Sequence, residues 1–138
     1  FLSLVKKSTR STKKIIHFEF SEFILAENTE AAALFVNELV KLGQVIGIDR
    51  VGGTLTPLSY LKDLNLAYLK LDGSLSAEIE NNKLKQEIIV QWITTAKRLD
   101  IILIATAVEN ESQWRTLKQL GIQYFQGNYI QSPYIIKI

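Results

Sequence analysis

Short apolar bursts alternate with amphipathic stretches along this chain. The run "KKIIHFEF" (13–20), rich in β-branched and aromatic residues, predicts a strand. In "NTEAAALFVNELVKLG" (28–43), Ala32, Phe35, Val36, Leu39 and Val40 recur at helical spacing, with Asn28 or Thr29 as cap and Gly43 as stop. "QVIGID" (44–49) predicts a second strand and "TPLSYLKDL" (56–64) a short helix with Pro57 in its first turn. "LAYLKLD" (66–72) follows as a third strand. The longest helix is "KLKQEIIVQWITTAKRLD" (83–100), with Ile89, Trp92, Ile93, Ala96 and Leu99 on one face. "IILIATAV" (101–108) is a fourth strand. "ENESQWRTLKQLG" (109–121) is a helix with Asn110 and Gln113 spaced as in a capping box, and "IQYFQGNYI" (122–130) holds a fifth strand. The opening "FLSLVKKSTR" reads as the tail of a helix.

This βα alternation predicts a parallel sheet covered by helices. A doubly wound open sheet and part of a (β/α)8 barrel both satisfy it, and both carry their chemistry at the carboxyl ends of strands. Polar residues gather at those ends: Glu19 and Glu22, Asp49 and Arg50, Lys70 and Asp72, Thr106 and Glu109, then Gln126–Gly127. Asp49–Arg50 stands out, because an acid and a base close a strand that is otherwise apolar.

Composition narrows the classes. With 138 residues, 47% hydrophobic and 22% charged, the chain suffices for one compact domain with a core. A net charge of +2 makes no global demand for an anionic partner. No apolar stretch has the length of a membrane span, so no membrane contact by this chain is expected. The lack of cysteine removes disulfides and thiolate metal sites and suits a cytoplasmic setting. The chain contains no methionine, even at position 1, and is expected to be a piece of a longer protein whose parent has room for a membrane anchor. His17, the sole histidine, is expected to be a packed core residue, as are Trp92 and Trp114. The basic cluster Lys6, Lys7, Arg10, Lys13 and Lys14 is expected to be a solvated face, with RNA contact the sharper alternative.

Four segments match a family in order. "GIDRVGGTLTPLSYLKDLNLAYLKLD" resembles A-L-D-D-F-G-T-G-Y-S-S-L-S-Y-L followed by an L-K-I-D strand. "IATAVENESQW" resembles A-E-G-V-E-T-x-x-Q, "YFQGNYIQSP" resembles Q-G-Y-x-x-x-x-P, and "FEFSE" resembles E-x-T-E. Over roughly 15–133 the chain resembles the EAL domain, whose intact members are cyclic-di-GMP phosphodiesterases on a TIM-type barrel with two Mg or Mn ions. The resemblance implies a partial barrel, about its last five strands, with residues 1–138 as the C-terminal part of the domain. The Glu-Ala-Leu motif and the metal-binding Asn of the next strand lie outside the matched part.

Carried over residue by residue, the resemblance places Glu19 on a metal-ligating acid and Asp49 on the first acid of D-D. Arg50 falls on the second acid. Lys70 falls on the lysine that contacts the attacking water or phosphate, Thr106 on the catalytic glutamate, Glu109 on the second glutamate, and Gln126 on the glutamine of Q-G. Two required acids are thus replaced, by Arg50 and Thr106. Two-metal hydrolysis needs carboxylate oxygens around hard cations. A fixed cation about 4 Å from a metal opposes it by about 4 kcal/mol per metal charge at an effective dielectric near 20. The reading is a degenerate, inactive EAL module with no metal or other cofactor. Among degenerate members it most resembles the CsrD type, membrane-anchored GGDEF–EAL regulators, which implies a role in turnover of regulatory small RNAs. Two alternatives stay open. One is a cyclic-di-GMP receptor using Lys70, Glu109, Gln126 and Arg50, and the other is an active phosphodiesterase. Five strands of a barrel leave two sheet edges open, so a homodimer or pairing with the missing N-terminal half is expected.

Overall fold

The computed structural model describes residues 1–12, 15–53 and 58–132. Helix α1 (Leu2–Thr12) leads into strand β1 (His17–Ser21), then α2 (Glu22–Glu27), α3 (Thr29–Lys41) and β2 (Val45–Val51). A 3-10 segment, Leu58–Asp63, precedes β3 (Tyr68–Leu71). Next come the one-turn α4 (Gly73–Ser76), a 3-10 turn (Ile79–Asn81), α5 (Lys83–Leu99), β4 (Ile102–Ala105), α6 (Glu111–Leu120) and β5 (Tyr124–Phe125). The five strands form one parallel sheet in chain order, β1-β2-β3-β4-β5, so each crossover joins neighbours. Sequential parallel order is the winding of a barrel wall, not of a doubly wound sheet, whose order reverses at a switch point.

Side chains alternate across this wall. The convex face sends Ile46, Ile48, Leu69, Leu71, Leu103 and Ala105 against the helices, and all six are buried. Helix α3 returns Val36 and Leu39 to this core, and α5 returns Ile89, Trp92, Ile93 and Ala96. Asn28 and Asn110 cap their helices as expected, accepting from the Ala31 and Gln113 N–H groups, and Asn82 caps α5 by accepting from Lys85. The capping box of α6 is displaced by one residue, because the Gln113 side chain accepts from the Glu109 N–H at 2.8 Å and not from Asn110.

Several expectations change. Helix α2 and the turns over Gly73–Ser76 and Ile79–Asn81 have no periodic signal in sequence, being too short to show one. The expected helix at 56–64 is 3-10 where it is described. Lys13, Lys14, Thr54, Pro57 and Pro133 lie outside the described residues, as do the side chains of Arg10 and Ser59. His17 is exposed on the concave face, because its neighbours Phe18 and Phe20 take the helix-covered side. Trp92 is buried as expected, whereas Trp114 is half-buried beside Phe125 and Tyr129. Lys6 and Lys7 are exposed.

Candidate functional site

The concave face carries the polar groups that the sequence put at strand ends. Lateral register aligns Glu19 with Gly47 and Gly47 with Tyr68. Two residues further along, Ser21 pairs with Asp49, and Lys70 with Ile104. Glu19 therefore sits on β1, two strands from Lys70 and Tyr68. The long side chains close this gap. Lys70 Nζ lies 2.6 Å from Glu19 Oε1, and the Tyr68 hydroxyl donates to the same oxygen at 2.9 Å. Lys70 thus takes Glu19 as its ion-pair partner.

Gly47 makes this reach feasible. A Cβ at position 47 would stand 2.1 Å from the Tyr68 ring, which fills the space over the middle strand. The His17 ring stands beside it, 6.1 Å between centroids. The sequence reading passed over Tyr68. Its signals were a glycine inside a β-branched strand, which marks a close approach, and its place two residues before Lys70 on the same face.

The electrostatics follow from this packing. Burial works to raise the Glu19 carboxyl. The hydrogen bonds from Lys70 and Tyr68, with the charges of Lys70 and His17, outweigh it and hold the group below its ordinary value of 4.5. Burial, the bond to Glu19 and the negative charges of Glu19 and Asp49 push the Tyr68 hydroxyl up to about 12. Tyr68 thus keeps its proton and donates a hydrogen bond throughout the physiological range.

Asp49 and Arg50 do not end β2 but lie inside it. The register with β3 slips between Ile48 and Val51, and Arg50 adopts φ 61°, the left-handed backbone of a bulge. That bulge turns the Arg50 guanidinium outward, 75% exposed, with Nε 3.9 Å from Asp49 Oδ2. The Arg50 N–H donates to Asp49 Oδ1 at 2.9 Å. Thr106, just past β4, is a strut between strand ends: its hydroxyl donates to the Leu71 carbonyl at 2.7 Å, and its own carbonyl accepts from Ser76 Oγ at 2.6 Å. Ala107 follows with φ 54°, a conformation in which glycine is unstrained.

Glu109 and Gln126 stand at the far side of the rim, both exposed. Gln126 is held through its backbone, donating to the Ala105 carbonyl and accepting from the Val108 N–H. The structure therefore brings Glu19 and Lys70 into contact, with Asp49 beside them on the neighbouring strand. It uses Thr106 structurally and leaves Arg50, Glu109 and Gln126 facing solvent. Among the described residues no three His, Asp or Glu side chains form a group able to hold a metal ion. Glu19 Oε1 and Asp49 Oδ1 already accept hydrogen bonds from the chain.

A sequential parallel β/α wall with acids and a lysine on its concave, carboxyl-end rim defines a TIM-barrel-like domain. The chain belongs to the EAL domain family, whose model matches residues 1–133. It is 33% identical over 116 residues to the cyclic di-GMP phosphodiesterase PdeF of Escherichia coli K12, which covers 84% of this chain and 16% of that protein. It is 27% identical over 123 residues to the RNase E specificity factor CsrD of the same organism, covering 89% of this chain and 19% of that protein. The FimX EAL domain of Pseudomonas aeruginosa, solved bound to c-di-GMP, superposes with a TM-score of 0.85 at 27% identity, over 94% of this chain and 55% of that one. The chain thus spans under a fifth of the length of these two curated relatives. No helix among the described residues is long and apolar enough to cross a membrane.

Proposed function

We propose that this chain is a non-hydrolytic EAL module that acts by interaction, the C-terminal part of a domain whose metal chemistry has been dismantled. The observation that carries the reading is Thr106. Where the family resemblance places a catalytic glutamate, a hydroxyl donates its proton to the Leu71 carbonyl at 2.7 Å. A threonine so engaged is neither a base near neutral pH nor an anionic ligand. Arg50, where the resemblance places a second acid, supplies no carboxylate oxygen to a cation. The whole protein is a regulator that binds a macromolecular partner, and the likeness to CsrD favours one in RNA turnover.

The test is incubation of the chain, and of the longest polypeptide that contains it, with cyclic-di-GMP and Mg or Mn, following the linear dinucleotide. No turnover above buffer is expected; magnesium- or manganese-dependent cleavage overturns the reading.

A second reading, binding of cyclic-di-GMP without hydrolysis, is favoured by the FimX domain, which was solved with that ligand bound. On this reading Lys70, Arg50, Glu109 and Gln126 would contact the ligand. Isothermal titration with EDTA present separates the two: metal-independent heat of binding supports the receptor, and its absence the interaction module.

A further inference from the structure

We propose that Tyr68 is a positioning residue, which holds Glu19 against Lys70 as a metal-free tie across the sheet and takes Glu19 out of use as a cation ligand. The inference rests on the reading of this site as non-hydrolytic and gives that site a present role.

In the sheet of the described residues, β1 pairs with β2 and not with β3. The Glu19 contacts reach over β2 to β3, so they join strands that share no backbone hydrogen bonds. Both bonds end on one carboxylate oxygen, Oε1. The tyrosine fixes where that oxygen sits, and the ammonium, itself only 16% exposed in its side chain, neutralises it. Three features show the arrangement to be built into the fold. Gly47 leaves the space that the Tyr68 ring fills, since a Cβ there would overlap it. His17 closes the ring's side at 6.1 Å. The Lys70 ammonium stands 6.0 Å from the same ring's centroid, so lysine and tyrosine are placed together. A divalent cation that takes Glu19 Oε1 meets an ammonium there and must displace two hydrogen bonds.

The experiment compares the unaltered chain with Tyr68→Phe and Lys70→Met by amide hydrogen exchange and Mn2+ titration followed by NMR. Tyr68→Phe keeps the ring and removes one charge-assisted hydrogen bond. Protection of the β1 amides is expected to fall about five- to tenfold while that of α5 is kept. At matched Mn2+, the Glu19 side-chain signals are expected to broaden more in both variants than in the parent. Unchanged β1 protection, an equal loss over β1 and α5, or equal broadening in parent and variants each overturns the proposal. Gly47→Ala supplies a second variant: it keeps every polar group and displaces the ring, and is expected to loosen β1 as Tyr68→Phe does. Hydrolysis of cyclic-di-GMP by the parent would overturn the functional reading instead, and is scored in a separate assay.

Discussion

Thr106→Val tests the central structural claim, that this position has passed from chemistry to architecture. The substitution preserves shape and β-branching and deletes one hydroxyl. What it strands is the Leu71 carbonyl, the carbonyl of a residue with 0% exposure at the end of β3. A typical intramolecular hydrogen bond contributes about 1 kcal/mol net, and a buried acceptor left without a partner costs about 1–3 kcal/mol. Thr106 itself is half-buried, so water has partial access and the lower part of that range applies. A loss of about 1.5 kcal/mol is expected. With an unfolding entropy of about 2.1 cal/mol/K per residue, a chain of 138 residues loses about 5 °C in Tm. Urea unfolding followed by fluorescence of Trp92 and Trp114 measures it, and Thr106→Ser is expected to recover most of the difference. A Thr106→Val protein within about 0.3 kcal/mol of the parent would show that the hydroxyl is idle, and the case for a repurposed position would fail.

Other perturbations probe the remaining rim. Gly127→Ala places a Cβ 2.2 Å from the Val108 carbonyl oxygen at φ 155°, so it is expected to cost more than about 3 kcal/mol, seen as loss of the cooperative melt. Ala107→Gly relieves a left-handed backbone and is expected to stabilise by about 0.5–1 kcal/mol in the same urea assay. For pH, the folded Glu19 carboxyl lies below its ordinary value of 4.5. Its contribution is therefore present above about 4.5 and is lost as pH falls through the folded value. The stability gap between the parent and Glu19→Gln should be constant from neutral pH down to that region and close beneath it; a gap unchanged at the acid end would contradict the Lys70–Tyr68 assignment.

The order of strands and long helices was legible because each burial pattern is local. Ile46 and Ile48, or Ile89, Trp92, Ile93 and Ala96, show their periods within one element, and a period of two or of 3.6 needs no distant partner to be seen. The acids and bases on and beside the strands were legible for the same reason. Arg50 and Thr106 were legible as replacements, through a motif whose spacing survives them. Pairing was not. Which carboxylate Lys70 takes, and that Tyr68 rather than Asp49 completes the cluster, depends on register across three strands and on the absent Cβ of Gly47. The outward turn of Arg50 depends on a bulge that no residue of "GIDRVGG" announces. His17 was misplaced because a histidine among the apolar residues Ile15, Ile16, Phe18 and Phe20 looks buried until the helices choose a face. Local sequence thus determined the elements, their alternation and the inventory of charges. Tertiary structure decided which charges meet, because meeting requires strands distant in sequence to settle in one register while side chains compete for a few oxygens.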